Sequence, residues 1–214
     1  MKIKTFLCSI LGGLALTSLL LSPLGADPKE DWVRRWNRET DSSFRIKPED
    51  TLLKQSSSER FPSLWVAGFR QSDQSFALGK VIWKSKDYTP LAGFGTILSD
   101  LNFGEMGDDE RAETFVELLR ETYGALGVKP YTGAPSKGRD RPMPLQAQSG
   151  PDGSQRYRVW MYKFPIQSEE GEWREVMFFL SADGAQVRSK NLNSFTPKAE
   201  KLENFPEPSP ESFE

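Results

Sequence analysis

Lys137, Arg139 and Arg141 lie among glycines and prolines in the stretch 130–155. Cations on an irregular loop suit capture of an anion such as a phosphate, an acidic glycan or an acidic peptide. The plainer alternative is a solvated loop whose charges keep it in water. Gly133 and Gly138 have the spacing of the two P-loop glycines. Arg139-Asp140 follow where a nucleotide cradle needs Lys and then Ser or Thr, so that chemistry is excluded. A second constellation is Arg156, Arg158, Trp160, Tyr162 and Phe164, which alternate onto one face if 156–164 is a strand. Arginine interleaved with aromatics can grip a glycan ring, a peptide or a partner protein. The competing reading is a core strand whose arginines sit at its mouth and pair with acids. Third, Trp32 and Trp36 fall one helical turn apart, beside Arg34, Arg35 and Arg38. Such a helix suits an anionic membrane surface, but its acids and short length favour docking on the protein's own sheet.

What the chain lacks is equally informative. It has no histidine and a single cysteine, Cys8. That excludes a Ser-His-Asp triad, and a disulfide within the chain. Structural zinc, haem and iron–sulfur sites mostly need imidazole or thiolate, so no cofactor or metal is expected. Hydrolysis would have to use paired carboxylates, as glycosidases do. The candidates are Asp100, Glu105, Asp108 and Asp109, of which the last two read better as a helix start. No Ser-x-x-Lys spacing occurs in the sequence, which weakens a serine–lysine hydrolase. With 28 basic and 30 acidic residues the formal charge is -2, which argues against a nucleic-acid partner.

The elements that must position these residues begin with a leader. Residues 1–26 carry Lys2 and Lys4, then an uncharged, leucine-rich run from Phe6 to Leu21, then Pro23, Gly25 and Ala26. This is the pattern of a secretory signal peptide cleaved near Ala26. The alternative is an uncleaved membrane anchor, although the run falls short of the ~20 apolar residues a spanning helix needs. Cys8 lies inside this leader. The expected location is periplasmic or secreted, with a membrane partner only if the leader is retained.

Residues 27–60 read as a helical extension and linker. Asp27-Pro28 followed by acids starts one helix, and Pro48-Glu49-Asp50 starts a second short one carrying Leu52 and Leu53. The domain proper spans 61–196. Leu64–Phe69 and Phe76–Trp83 form a β-hairpin. Leu91–Leu98 is a strand or a loop, left open by its two glycines. Asp108–Leu126 is a long helix with Ala112, Phe115, Val116, Leu119, Tyr123 and Leu126 on one face, stopped by Gly127. Five prolines and four glycines in 130–155 predict a long flexible loop. Tyr157–Phe164 and Trp173–Leu180 are strands, Ser181–Gly184 is a turn of type I′, and a polar edge strand follows. Residues 197–214, with four prolines and five glutamates, read as a disordered acidic tail.

Together these elements give an α+β fold. An antiparallel sheet of five to six strands, with two hairpin regions, has one long helix on a face in a two-layer sandwich. The arrangement is similar to that of cystatin-like open-faced sandwiches, with no shared motif, so the likeness assigns no site. The functional expectation is an exported, non-catalytic binding or accessory protein with a protein, peptide or glycan partner. Its contacts would come from Lys137, Arg139, Arg141, Arg156, Arg158 and Trp160. The alternatives are a carboxylate-dependent glycan hydrolase and a membrane-tethered accessory subunit.

Overall fold

The computed structural model describes residues 27–39, 45–72, 76–133, 143–163 and 172–195. Residues 1–26 with the expected leader, the centre of the 130–155 stretch and the C-terminal residues 196–214 lie outside them. The described chain is an α+β sandwich with two antiparallel sheets. Helix α1 (Pro28–Glu39) comes first, then strands β1 (Thr51–Gln55), β2 (Leu64–Arg70), β3 (Phe76–Trp83) and β4 (Lys86–Tyr88). Helices α2 (Pro90–Asp100) and α3 (Asp108–Tyr123) follow. Strands β5 (Val128–Pro130), β6 (Gln146–Ser149), β7 (Gln155–Lys163), β8 (Glu172–Leu180) and β9 (Val187–Phe195) complete the chain. The first sheet is the meander β1-β2-β3-β4, and the second runs β5-β7-β8-β9 with β6 also paired to β7.

Strand alternation explains the layers. Leu52, Leu64, Val66, Val81 and Trp83 point into the main core, where they meet Phe94, Ile97 and Leu98 of α2 and Phe115, Leu118 and Leu119 of α3. Tyr157, Val159, Val176, Phe178 and Leu180 close that core from the second sheet. The alternate residues of the first sheet, Leu53, Trp65, Ala67, Phe69 and Ile82, form a second cluster with Trp32, Val33 and Trp36 of α1. The apolar character of both faces of β2 and β3 thus follows from helices on both sides. Trp36 packs on Phe69 at 5.7 Å between ring centroids, so the tryptophan pair is docked on the protein's own sheet. The Asn37 amide brackets the Ile46 backbone, donating to its carbonyl at 2.8 Å and accepting from its N–H at 2.9 Å. Arg35 ties α1 to Asp87 of β4 at 2.9 Å.

Four expectations need correction. Residues 91–98 are neither strand nor loop but the middle of α2, which opens with Pro90 at its first position. The two glycines that obscured it are contact points. A methyl group on Gly93 would come within 2.7 Å of Val81, and one on Gly95 would overlap the Ala185 carbonyl oxygen. The short helix expected at Pro48 is a single 3-10 turn, and Leu52 and Leu53 lie in β1, one facing each core. Among the described residues the strands number nine in two sheets rather than five to six in one. Three of the four additional strands, β4, β5 and β6, are only 3 or 4 residues long, too short for their alternation to stand out. The turn after β8 is not type I′, because Gly184 (φ 73°) has the only positive φ in it. The two-residue hairpin with positive φ at both positions joins β3 to β4 through Lys84 (φ 47°) and Ser85 (φ 66°). There Asp100 accepts hydrogen bonds from Lys84 at 2.9 Å and from the Trp83 indole at 2.7 Å.

Candidate partner-binding face

The second sheet buries one face against α2 and α3 and turns the other outward. On β7 the alternation is plain: Gln155, Tyr157, Val159 and Met161 are buried, and Arg156 and Arg158 between them are exposed. The register with β8 and β9 builds two cross-strand rows on the outer face. One reads Gln148, Arg156, Phe179, Arg188, and the next reads Gln146, Arg158, Met177, Lys190. In each row an apolar side chain lies between cations on the two flanking strands. Phe179 is 38% exposed and is one of only two exposed large apolar side chains among the described residues. Directly opposed residues on neighbouring strands have Cβ atoms about 5 Å apart, so each row is a contiguous surface.

The cations differ in role. Arg158 pairs through Nε with the Glu175 carboxylate, which is fully buried on the same face. Arg156, Arg188 and Lys190 make no ion pair among the described residues. Asp152 lies within the field of Arg156; its carboxyl is held below the usual range mainly by hydrogen bonds from Ser154, with Arg156 adding a smaller pull. The face therefore presents three uncommitted cations around an exposed ring, next to a fourth cation committed to a buried acid.

The sequence-based contact set divides accordingly. Arg156 and Arg158 are on this face. Trp160 shares it, opposite Glu175, but is only 7% exposed and packs within the sheet surface. Tyr162 lies against Trp173 at 4.8 Å, and Tyr131 meets the same indole edge-on at 5.7 Å. Lys137, Arg139, Arg141 and Phe164 lie outside the described residues. Phe179, Met177, Arg188 and Lys190 were not among the predicted contacts. Their signal was present in the alternation of Val176, Phe178 and Leu180 against Met177 and Phe179. It needed the β8–β9 register to place Arg188 opposite Phe179.

The candidate acids are engaged elsewhere. Asp100 closes α2 and holds Lys84 and Trp83; hydrogen bonding, first from Trp83 and then from Lys84, lowers its pKa, so it is a poor proton donor near neutrality. Asp108 and Asp109 lie in the first turn of α3, and Asp108 accepts a hydrogen bond from Ser149 at 3.2 Å. Glu105 belongs to a 3-10 turn between α2 and α3. Among the described residues no group of three or more acids could hold a metal ion.

A second basic surface flanks α1. An open groove of about 710 Å³ has Trp32, Leu53, Trp65 and Ile82 at its base and Arg34, Arg35, Arg38 and Lys84 around it. Three of these four cations are already paired, with Asp31, Asp87 and Asp100. Comparison with family models, with curated proteins and with solved structures finds no match to the chain.

Proposed function

We propose that this protein is an exported, non-catalytic binding module whose second sheet presents its outer face to an acidic, aromatic-bearing protein segment. The observation that carries the reading is the pair of cross-strand rows, cation–Phe179–cation and cation–Met177–cation. Carboxylates can form charge-assisted hydrogen bonds with Arg156 and Arg188. An aromatic or proline ring can cover Phe179, and the methionine thioether adapts to either. A flat sheet face with cations spread along it fits an extended peptide better than a small molecule, which favours an enclosed cleft. Export is supported by the residue pattern of 1–26. Among the described residues no helix is long and apolar enough to cross a membrane.

The test is a binding titration with a fluorescent twelve-residue peptide of Glu, Phe and Pro. The native chain is compared with the triple variant Arg156→Glu, Arg188→Glu, Lys190→Glu. Native protein binding in the micromolar range, with at least a tenfold loss in the variant and a steep fall with salt, is the expected result. Equal affinity of the two proteins would remove the face from the account. The export part is read separately by N-terminal sequencing of the protein from its native envelope. An N-terminus at Asp27 is expected, and an intact Met1 would contradict it.

A further inference from the structure

We infer that the acidic face-binding segment is already present in this chain: residues 202–214 occupy the outer face of the second sheet in competition with an external partner. The inference rests on reading that face as an acid-binding surface and names its resident occupant. Residues 202–214 contain Glu203, Glu207, Glu211 and Glu214 and no basic residue, with Phe205 and Phe213 near the two ends. The charge complements that of Arg156, Arg188 and Lys190. Phe205 supplies an apolar group for the Phe179 position, beside Met177.

Chain geometry permits the return. Strand β9 ends at Phe195, opposite Trp173, and starts at Val187, opposite Leu180. Its seven-residue run back from 195 to 188 covers about 23 Å. The ten residues from 195 to Phe205 can reach about 33 Å when extended, enough to bring Phe205 back over Phe179. Pro206, Pro208 and Pro210 remove every second N–H donor along that stretch, so a strand built from it could pair on one side only. Proline-rich segments commonly dock through side chains on aromatic surfaces, and the charge match favours the face over the edge.

The experiment uses the full chain with labelled methionine methyl groups. Native protein is compared with a full-length variant carrying Glu203→Gln, Glu207→Gln, Glu211→Gln and Glu214→Gln. At low salt the Met177 methyl resonance is expected to differ between the two. At ~1 M salt, where screening acts within about 3 Å, the native resonance is expected to move to the variant position. Identical Met177 resonances at low salt would overturn the inference. A synthetic 202–214 peptide and an unrelated peptide of Glu, Phe and Pro are then titrated into both proteins. Both are expected to bind the variant about tenfold more tightly, because a tethered segment competes at millimolar effective concentration. If both peptides bind both proteins equally well, the tail is not the occupant, while the face remains an acid-binding surface. If neither peptide binds either protein at 1 mM, roughly the effective concentration of a tethered segment, both readings fall.

Discussion

Arg156 and Arg158 are two residues apart on one strand and point the same way, yet their removal should have very different consequences. Arg158 forms an ion pair with Glu175, whose side chain is fully buried, while Arg158 itself is 44% exposed. Breaking a buried pair by removing one member costs up to about 3–5 kcal/mol, because a desolvated charge loses a partner. Exposure of the guanidinium lets water approach the vacated position and Glu175 keeps a further contact, so Arg158→Ala is expected below that range, about 2 kcal/mol. Arg156 makes no such pair among the described residues, and Arg156→Ala should stay within about 0.5 kcal/mol of the native protein. Urea unfolding at neutral pH reads both, with the slope unchanged and the midpoint shifted only for Arg158→Ala. In a double-mutant cycle with Glu175→Gln, a coupling of at least about 1.5 kcal/mol is expected, since the two residues act as one unit. Equal midpoints for the two arginine variants, or no coupling in the cycle, would refute the assignment of Arg158 as a structural support. The functional corollary is that ligand binding should be lost through Arg156 and Arg188 at unchanged stability.

Gly95→Ala should destabilise the fold by about 1–3 kcal/mol, because the added methyl would overlap the Ala185 carbonyl where α2 meets the β8–β9 turn; thermal unfolding checks it. Tyr157→Phe should leave stability unchanged or raise it by up to about 1 kcal/mol, since the buried hydroxyl has no hydrogen-bond partner among the described residues, while the ring stays packed in the core and stacked on Phe115 at 4.9 Å between ring centroids; a loss of stability by denaturant titration would refute this. Asp100 supplies a pH signature. Its folded pKa is lowered from 3.8, so its contribution is fully present above that value and is lost as pH falls through the folded pKa. The stability gap between native protein and Asp100→Asn should be constant from pH 7 to about 5 and narrow below about 4 in acid titration followed by fluorescence.

The β2–β3 hairpin, α3 and the β7–β8–β9 meander were legible because each combines clear periodicity with a boundary signal. For α3 the signals are Asp108 and Asp109 at its start and Gly127 (φ 76°) just beyond the 3-10 turn at its end. Helix α2 was not legible because Gly93 and Gly95 weaken helix propensity locally, while their value is close packing against Val81 and Ala185. The Lys84-Ser85 turn carries neither Asn nor Gly; Asp100, sixteen residues away, secures it, and a local reading cannot see that. The Arg156–Arg158 stripe was legible as a face. Its composition was not, because β8 is apolar on both sides and only the register separates Phe178 in the core from Phe179 outside.

The central claim is about location, and amide chemical-shift mapping tests it directly. The Glu-, Phe- and Pro-containing peptide is titrated into the full chain, and perturbed amides are placed on the fold. The account predicts a cluster at 156–158, 177–179 and 188–190. A cluster around Arg34, Arg38 and Lys84 beside α1 would contradict it and move the binding function to the other basic surface.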